Sequence, residues 1–183
     1  MYLYCAIKTH MEKKYGVPVP TWYQGYVNQI GDADFIEVLR KQYESTPTLL
    51  LSIPLEKWNY AYSPGKWTVK EVILHLTDCE RIFAYRALCF ARNDKTNLPG
   101  FDENDYAPNS AAAHRSEVSI IEEFKAVRKA TITLFEYFNN EMMLRTGFAN
   151  GHEFSVELVG TIIAGHELHH LQVLKERYGL LGF

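Results

Sequence analysis

The stretch AGHELHHLQVLKERYG near the C-terminus puts His166 and His170 four residues apart. Val156, Val159, Ile163, Val173 and Leu174 recur around it at helical spacing. Ser155 precedes the run as an N-cap, and Gly179 follows a basic last turn as a stop. On that helix the two imidazoles lie one turn apart, on one face, inside the apolar stripe. His169 falls on the flank with Ile162, Gly165, Gln172 and Glu176. Polar rings in a core stripe need partners, because each unsatisfied buried nitrogen costs about 1–3 kcal/mol. Two nitrogens at this spacing can also reach a single metal ion.

The rest of the chain supplies the scaffold for such a stripe. Pro18 and Pro20 mark an extended lead-in. A first helix is expected from Asp34 to Leu51, carrying Phe35, Val38, Leu39, Gln42 and Leu49 to Leu51, with Pro47 kinking it or ending it early. Pro64-Gly65 is a turn of the type II kind. Directly after it, Thr68 and Glu71 form a capping box that opens a second helix, to about Asn93. Its stripe reads Val69, Val72, His75, Leu76, Cys79, Ile82, Phe83, Arg86 and Phe90. Asp94 to His114 break all periodicity, and Phe101 and Tyr106 argue for a long loop that packs down. Ser116 caps a third helix to about Asn140, with Ile120, Ile121, Phe124, Val127, Ala130, Leu134, Phe135 and Phe138 inward. Gly147 to Phe154 are a second break, and the fourth helix runs from about Ser155 to Tyr178.

These elements specify an all-α fold, a four-helix bundle with no convincing strand. The long connection between helices two and three has the reach to run back along a helix, which gives an up-down-down-up topology with a crossover there. The bundle domain is expected over residues 34–183, preceded by an N-terminal extension over 1–33. Within the extension, MYLYCAIKTH is a poor signal peptide. Met11 followed by Glu12, Lys13 and Lys14 looks like a natural start, so the first ten residues read as an over-long start or a loosely held extension.

Composition narrows the partners. A formal charge of −3 leaves no basic footprint for nucleic acid. No apolar run approaches the ~18 residues that span a bilayer. The cysteines, Cys5, Cys79 and Cys89, form neither a C-x-x-C pair nor an even framework, which points to a reducing, cytoplasmic setting. There is no nucleophile elbow and no phosphate-binding glycine loop.

A third histidine joins the first two by position. If helices two and four are antiparallel neighbours, His75 lies roughly 10 Å inside one and His170 roughly 12 Å inside the other, from adjacent ends. Three histidines on one divalent ion leave room for water or substrate, as in a catalytic site. All-nitrogen ligation suits Zn, Ni, Fe or Cu. Asp78 and Glu167 are acceptors for imidazole N–H groups or solvated helix charges, the latter suiting Glu167 better. Cys79 is a fourth, softer ligand or a small buried hydrophobe. Arg86 forms a buried ion pair or holds an anionic substrate group. Trp58 and Trp67 cap the bundle end or line a pocket mouth. His10, His114 and His152 lie outside helix interiors and receive no metal role.

The run PGKWTVKEVILHLTDCERIFAYRALCFARND, then LPGFDENDYA and AGHELHHLQVLKERYG, resembles the DinB/YfiT-like superfamily, within it the DinB-like domain 2 subgroup. The likeness spans about Leu39 to Tyr178; the N-terminal extension and Pro47 have no counterpart in it. It implies an up-down-down-up four-helix bundle, often a homodimer, with a divalent metal on His75, His166 and His170. It also implies small-molecule chemistry. Relatives are transferases and isomerases that use bacillithiol, mycothiol or glutathione, and others are described as metal-dependent hydrolases. The expectation is therefore a low-molecular-weight-thiol S-transferase with a metal-activated thiolate. The alternatives are a hydrolase using metal-activated water, with Glu71 or Asp78 as the nearest acids, and a non-catalytic metal-binding or sensor bundle.

Overall fold

The structure, a computed structural model, describes residues 14–180. The readings of the first ten residues, Cys5 and His10 lie outside the described residues. Seven α-helices follow one another here: α1 (Gln24–Ile30), α2 (Phe35–Leu51), α3 (Val69–Ala91), α4 (Glu103–Asn109), α5 (Glu117–Glu136), α6 (Asn140–Leu144) and α7 (Val156–Glu176). A hairpin of β1 (Thr146–Ala149) and β2 (His152–Ser155) precedes α7. The long helices α2, α3, α5 and α7 form a four-helix bundle. No helix among the described residues is long and apolar enough to cross a membrane.

Side-chain caps start the bundle helices. Asp34 accepts from the Ile36 amide at 2.8 Å, Ser116 and Ser155 cap α5 and α7, and Thr68 and Glu71 close the reciprocal capping box of α3. Pro47 does not end α2 early; the ring is buried and the helix runs on to Leu51. Gly65 and Gly179 both take positive φ, +74° and +66°, as the turn and the helix stop require.

Contacts give the helix directions. Phe35, Gln42 and Thr46 of α2 meet Gly160, Ala164 and Glu167 of α7 in the same order, so these two run parallel. Phe35 and Gln42 meet Phe135 and Arg128 of α5 in reverse order, so α2 and α5 are antiparallel. The start of α3 meets the end of α7 through His75 and His166, while Phe90 packs over Gly147, ahead of α7. Hence α3 and α5 are parallel neighbours, joined by residues 92–116. That segment holds α4, and Leu98 bridges to Ala149 of the hairpin.

Several features differ from the sequence reading, among them the helix α4 inside the stretch expected to be a loop. The lead-in forms a helix, α1, whose Val27 and Ile30 enter the core. It lies so close to α7 that a Cβ on Gly165 would sit 2.2 Å from the Tyr26 carbonyl oxygen. Only a glycine lets the two backbones meet there. The second break is a hairpin whose turn, Asn150-Gly151, has positive φ at both residues (51° and 75°), the two-residue geometry that strand twist favours. In α5 the inward face includes Arg128 and Thr131, while Ala130 points to solvent.

Arg128 is 1% exposed and reaches across the bundle. Its Nε and Nη2 donate to the two Glu80 oxygens of α3, each at 2.8 Å. Its Nη1 lies 2.7 Å from Glu167 of α7 and donates to Gln42 of α2 at 3.0 Å. Thr46 also donates to Glu167, at 2.5 Å. Burial works against the Arg128 charge, yet Glu167 and Glu80 together raise its pKa. One side chain thus ties all four bundle helices. Arg128→Ala leaves two buried carboxylates without their cation and is expected to cost about 3–5 kcal/mol, measured by denaturant unfolding; a loss indistinguishable from that of removing the exposed Arg40–Glu136 pair would refute the assignment.

Candidate metal centre

His75 comes from the second turn of α3, and His166 and His170 from the C-terminal half of α7. The antiparallel packing brings all three together. His75 Nε2 lies 3.1 Å from His166 Nε2, and His170 Nε2 lies 3.0 Å from the same atom. The His75 and His170 ring centroids are 4.8 Å apart.

The donor chemistry fits a divalent ion. A single imidazole nitrogen offers one proton or one lone pair, so His166 Nε2 cannot satisfy two facing nitrogens by hydrogen bonding. Among the described residues, buried His170 Nδ1 has no hydrogen-bond partner. Two nitrogens each roughly 2.0–2.1 Å from one ion stand roughly 2.9–3.4 Å apart at ordinary coordination angles, the spacing found here. All three rings are held neutral. Burial pushes His75 down to about 4, helped by the charge of His169. It pushes His170 down to about 3, with His75 and His169 adding to the effect, and holds His166 well below the usual range. Their lone pairs are therefore free at neutral pH.

Cys79, one turn beyond His75, puts Sγ 3.5 Å from His75 Nδ1 and 3.7 Å from Nε2. His75, Cys79 and His166 each place a potential ligand atom within 4.8 Å of the others. Burial pushes the Cys79 thiol well up, and the Glu103 and Asp78 charges add to that.

The cluster lines a cavity of about 430 Å³. Aromatic rings form much of the wall: Trp67 stacks 4.7 Å from His75, Tyr26 lies 5.3 Å from His166 and 5.1 Å from His169, and Phe83 lies 6.3 Å from His166. Trp22, Tyr23, Arg86, Phe101 and Glu103 complete the circuit. Trp67 therefore lines the pocket. Trp58 instead is 1% exposed, with its indole N–H donating to the Ile53 carbonyl at 3.3 Å.

The acids near the histidines are engaged elsewhere. Glu167 is not a solvated charge: it is 1% exposed and paired to Arg128, because α2 covers that side of α7 and Arg128 reaches it from α5. Asp78 pairs with Arg81 at 3.5 Å, and Glu71 is held in the capping box at 2.7 Å from the Thr68 amide. Arg86 is buried and has a backbone partner, the Pro99 carbonyl at 2.8 Å. His114 and His152 are exposed and outside the cavity. His169, placed on the flank from spacing alone, lines the cavity because α1 covers that flank. Tyr26 was missed for the same reason. The signal that could have revealed it is Gly165, a flat spot on the flank of a long helix.

No curated protein matches the chain significantly. Among solved structures, YfiT from Bacillus subtilis, described as "a probable metal-dependent hydrolase with an unusual four-helix bundle topology", aligns with a TM-score of 0.68 at 16% identity. The alignment covers 80% of this chain and 86% of that one, and shows a shared fold. The model of the DinB superfamily matches residues 39–174, a span that runs from α2 through most of α7 and includes His75, His166 and His170. The chain belongs to the DinB superfamily.

Proposed function

We propose that this protein is a metal-dependent enzyme in which His75, His166 and His170 hold a divalent ion, Zn, Ni or Fe, through their Nε2 atoms. Its leading activity on this reading is transfer of a low-molecular-weight thiol to an electrophilic small molecule. The observation that carries it is the convergence of three neutral imidazoles, one buried and two half-buried, on the wall of a cavity large enough for a small molecule. An ion held there lowers the pKa of a thiol or a water that reaches it and supplies a nucleophile at neutral pH. The chain's own part is to keep the ring nitrogens unprotonated and to orient a substrate against Tyr26, Trp67 and Phe83 with water excluded. A thiol, once ionised, needs no further base, and Glu71, Asp78 and Glu167 are committed to other partners.

One observation favours hydrolysis as the second reading. His169 is half-buried beside His170, and burial, then the charge of Arg177, holds its pKa below the usual range. A neutral ring nitrogen there can accept the proton that water gives up. The description of YfiT points the same way.

Chelator-stripped protein should take up one equivalent of Zn or Ni per chain, by elemental analysis, and His166→Ala should lose that uptake; a chain indifferent to both metals overturns the proposal. At a metal concentration about 1,000-fold above Kd, folding should be stabilised by about 4 kcal/mol. The stripped protein should lose stability as pH falls from about 6.5 toward about 4, since the unfolded chain binds protons there that the buried histidines refuse. The metal-loaded protein should resist this loss until the ion is released; identical pH profiles with and without metal would contradict the ligand assignment. Thiol conjugation and ester or amide hydrolysis, assayed side by side on loaded protein, separate the two readings. Substrate turnover that is saturable in added thiol supports transfer, and thiol-independent cleavage supports hydrolysis.

A further inference from the structure

Arg86 and Arg128 are both buried arginines, 5% and 1% exposed, with opposite surroundings. Arg128 is clasped by two carboxylates. Among the described residues, no carboxylate lies within ion-pair distance of Arg86; its charged form is favoured only by Tyr23 and Cys79, against the burial that disfavours it. A guanidinium carries five N–H donors. Arg86 gives one to the Pro99 carbonyl at 2.8 Å and another to the Tyr23 side chain, and presents the group over the rings of Phe83 and Phe101, at 5.7 and 5.9 Å. It lines the same cavity as the histidine cluster. A buried cation whose partners are neutral calls for a removable anion.

We propose that Arg86 is the anchor for the carboxylate of the substrate, a small monoanion whose apolar body lies between the guanidinium and the histidines. Arg86 stands two helical turns past Cys79 on the same stripe, and long helical side chains lean back toward the N-terminus, which turns the guanidinium toward the cluster. Phe83 sits between the two, 5.7 Å from Arg86 Cζ and 6.3 Å from the His166 ring. One aromatic ring or a short alkyl chain bridges that gap against Phe83. Glu103 lines the same cavity, and its carboxylate there disfavours a second negative charge on the ligand. A planar carboxylate also matches the guanidinium fork. The identification of this ligand as the substrate rests on the proposed function; the binding does not.

The test is calorimetric titration of chelator-stripped full-length protein with benzoate, phenylacetate, 3-phenylpropionate and butyrate, each beside its neutral amide. At least one carboxylate should bind tenfold or more tightly than its amide. Arg86→Gln should erase that difference, and Arg86→Lys should keep part of it. No carboxylate preference across the panel, or a preference that survives Arg86→Gln, overturns the proposal. Should Arg86→Gln fail to fold, the wild-type preference and the Arg86 Nε–Hε resonance decide, and a resonance that ignores the preferred carboxylate overturns it. The outcome is separable from that of the metal proposal. Protein that prefers carboxylates yet takes up no metal keeps the anchor and loses the metal-dependent reading; protein that takes up metal without the preference loses only the anchor.

Discussion

The buried Glu80–Arg128–Glu167 group sets the relative position of the bundle helices, and the histidine cluster depends on it. Glu80 stands in the turn after His75, and Glu167 is the residue next to His166. Arg128 holds both, at 2.8 and 2.7 Å, from a third helix. A slip of one residue between α3 and α7 would advance a side chain by about 1.5 Å and swing it by about 100°. It would break the ion pairs and scatter the ring nitrogens at once. One guanidinium cannot neutralise two carboxylates, and burial pushes Glu167 up, toward holding a proton.

The same core therefore contains two kinds of polar group. Around Arg128 the donors and acceptors are matched by the chain itself, through Gln42, Thr46 and the two glutamates. A turn or two away, among the described residues, His170 Nδ1 has no hydrogen-bond partner, His166 Nε2 faces two nitrogens, and Arg86 has no carboxylate. Unmatched polar groups in a close-packed interior are expensive, and here they share one cavity. The matched group gives the rigidity that lets the unmatched ones persist.

Much of this was legible in the residues. Thr68 and Glu71 announced α3, and the spacing of His166 and His170 within an apolar stripe announced two converging rings. The up-and-down arithmetic that added His75 needed only helix rise and the two helix ends. What escaped did so for physical reasons. Glu80, Arg128 and Glu167 all sit at core spacing, Arg128 four residues from Phe124 and Glu167 four from Ile163. Charge alone gave Glu167 a solvated reading and left Glu80 and Arg128 without a role, although three charges can bury one another. The helix α1 has no side-chain cap and contains Gly25, so its propensity is weak and its order comes from packing on α7. The hairpin strands are four residues each, too short for alternation to register, though Asn150-Gly151 was a usable turn signal.

The close approach of α1 to Gly165 divides labour along the chain. The nitrogens belong to the span shared with the superfamily, residues 39–174, whereas Trp22, Tyr23 and Tyr26 come from ahead of it. One side of the cavity wall and the histidine cluster are thus encoded in separate stretches. Exchanging a ring at position 22, 23 or 26 would recontour that side of the cavity while every imidazole stays where Arg128 has set it, so the shape of the space beside the histidines can be retuned from the N-terminal side alone.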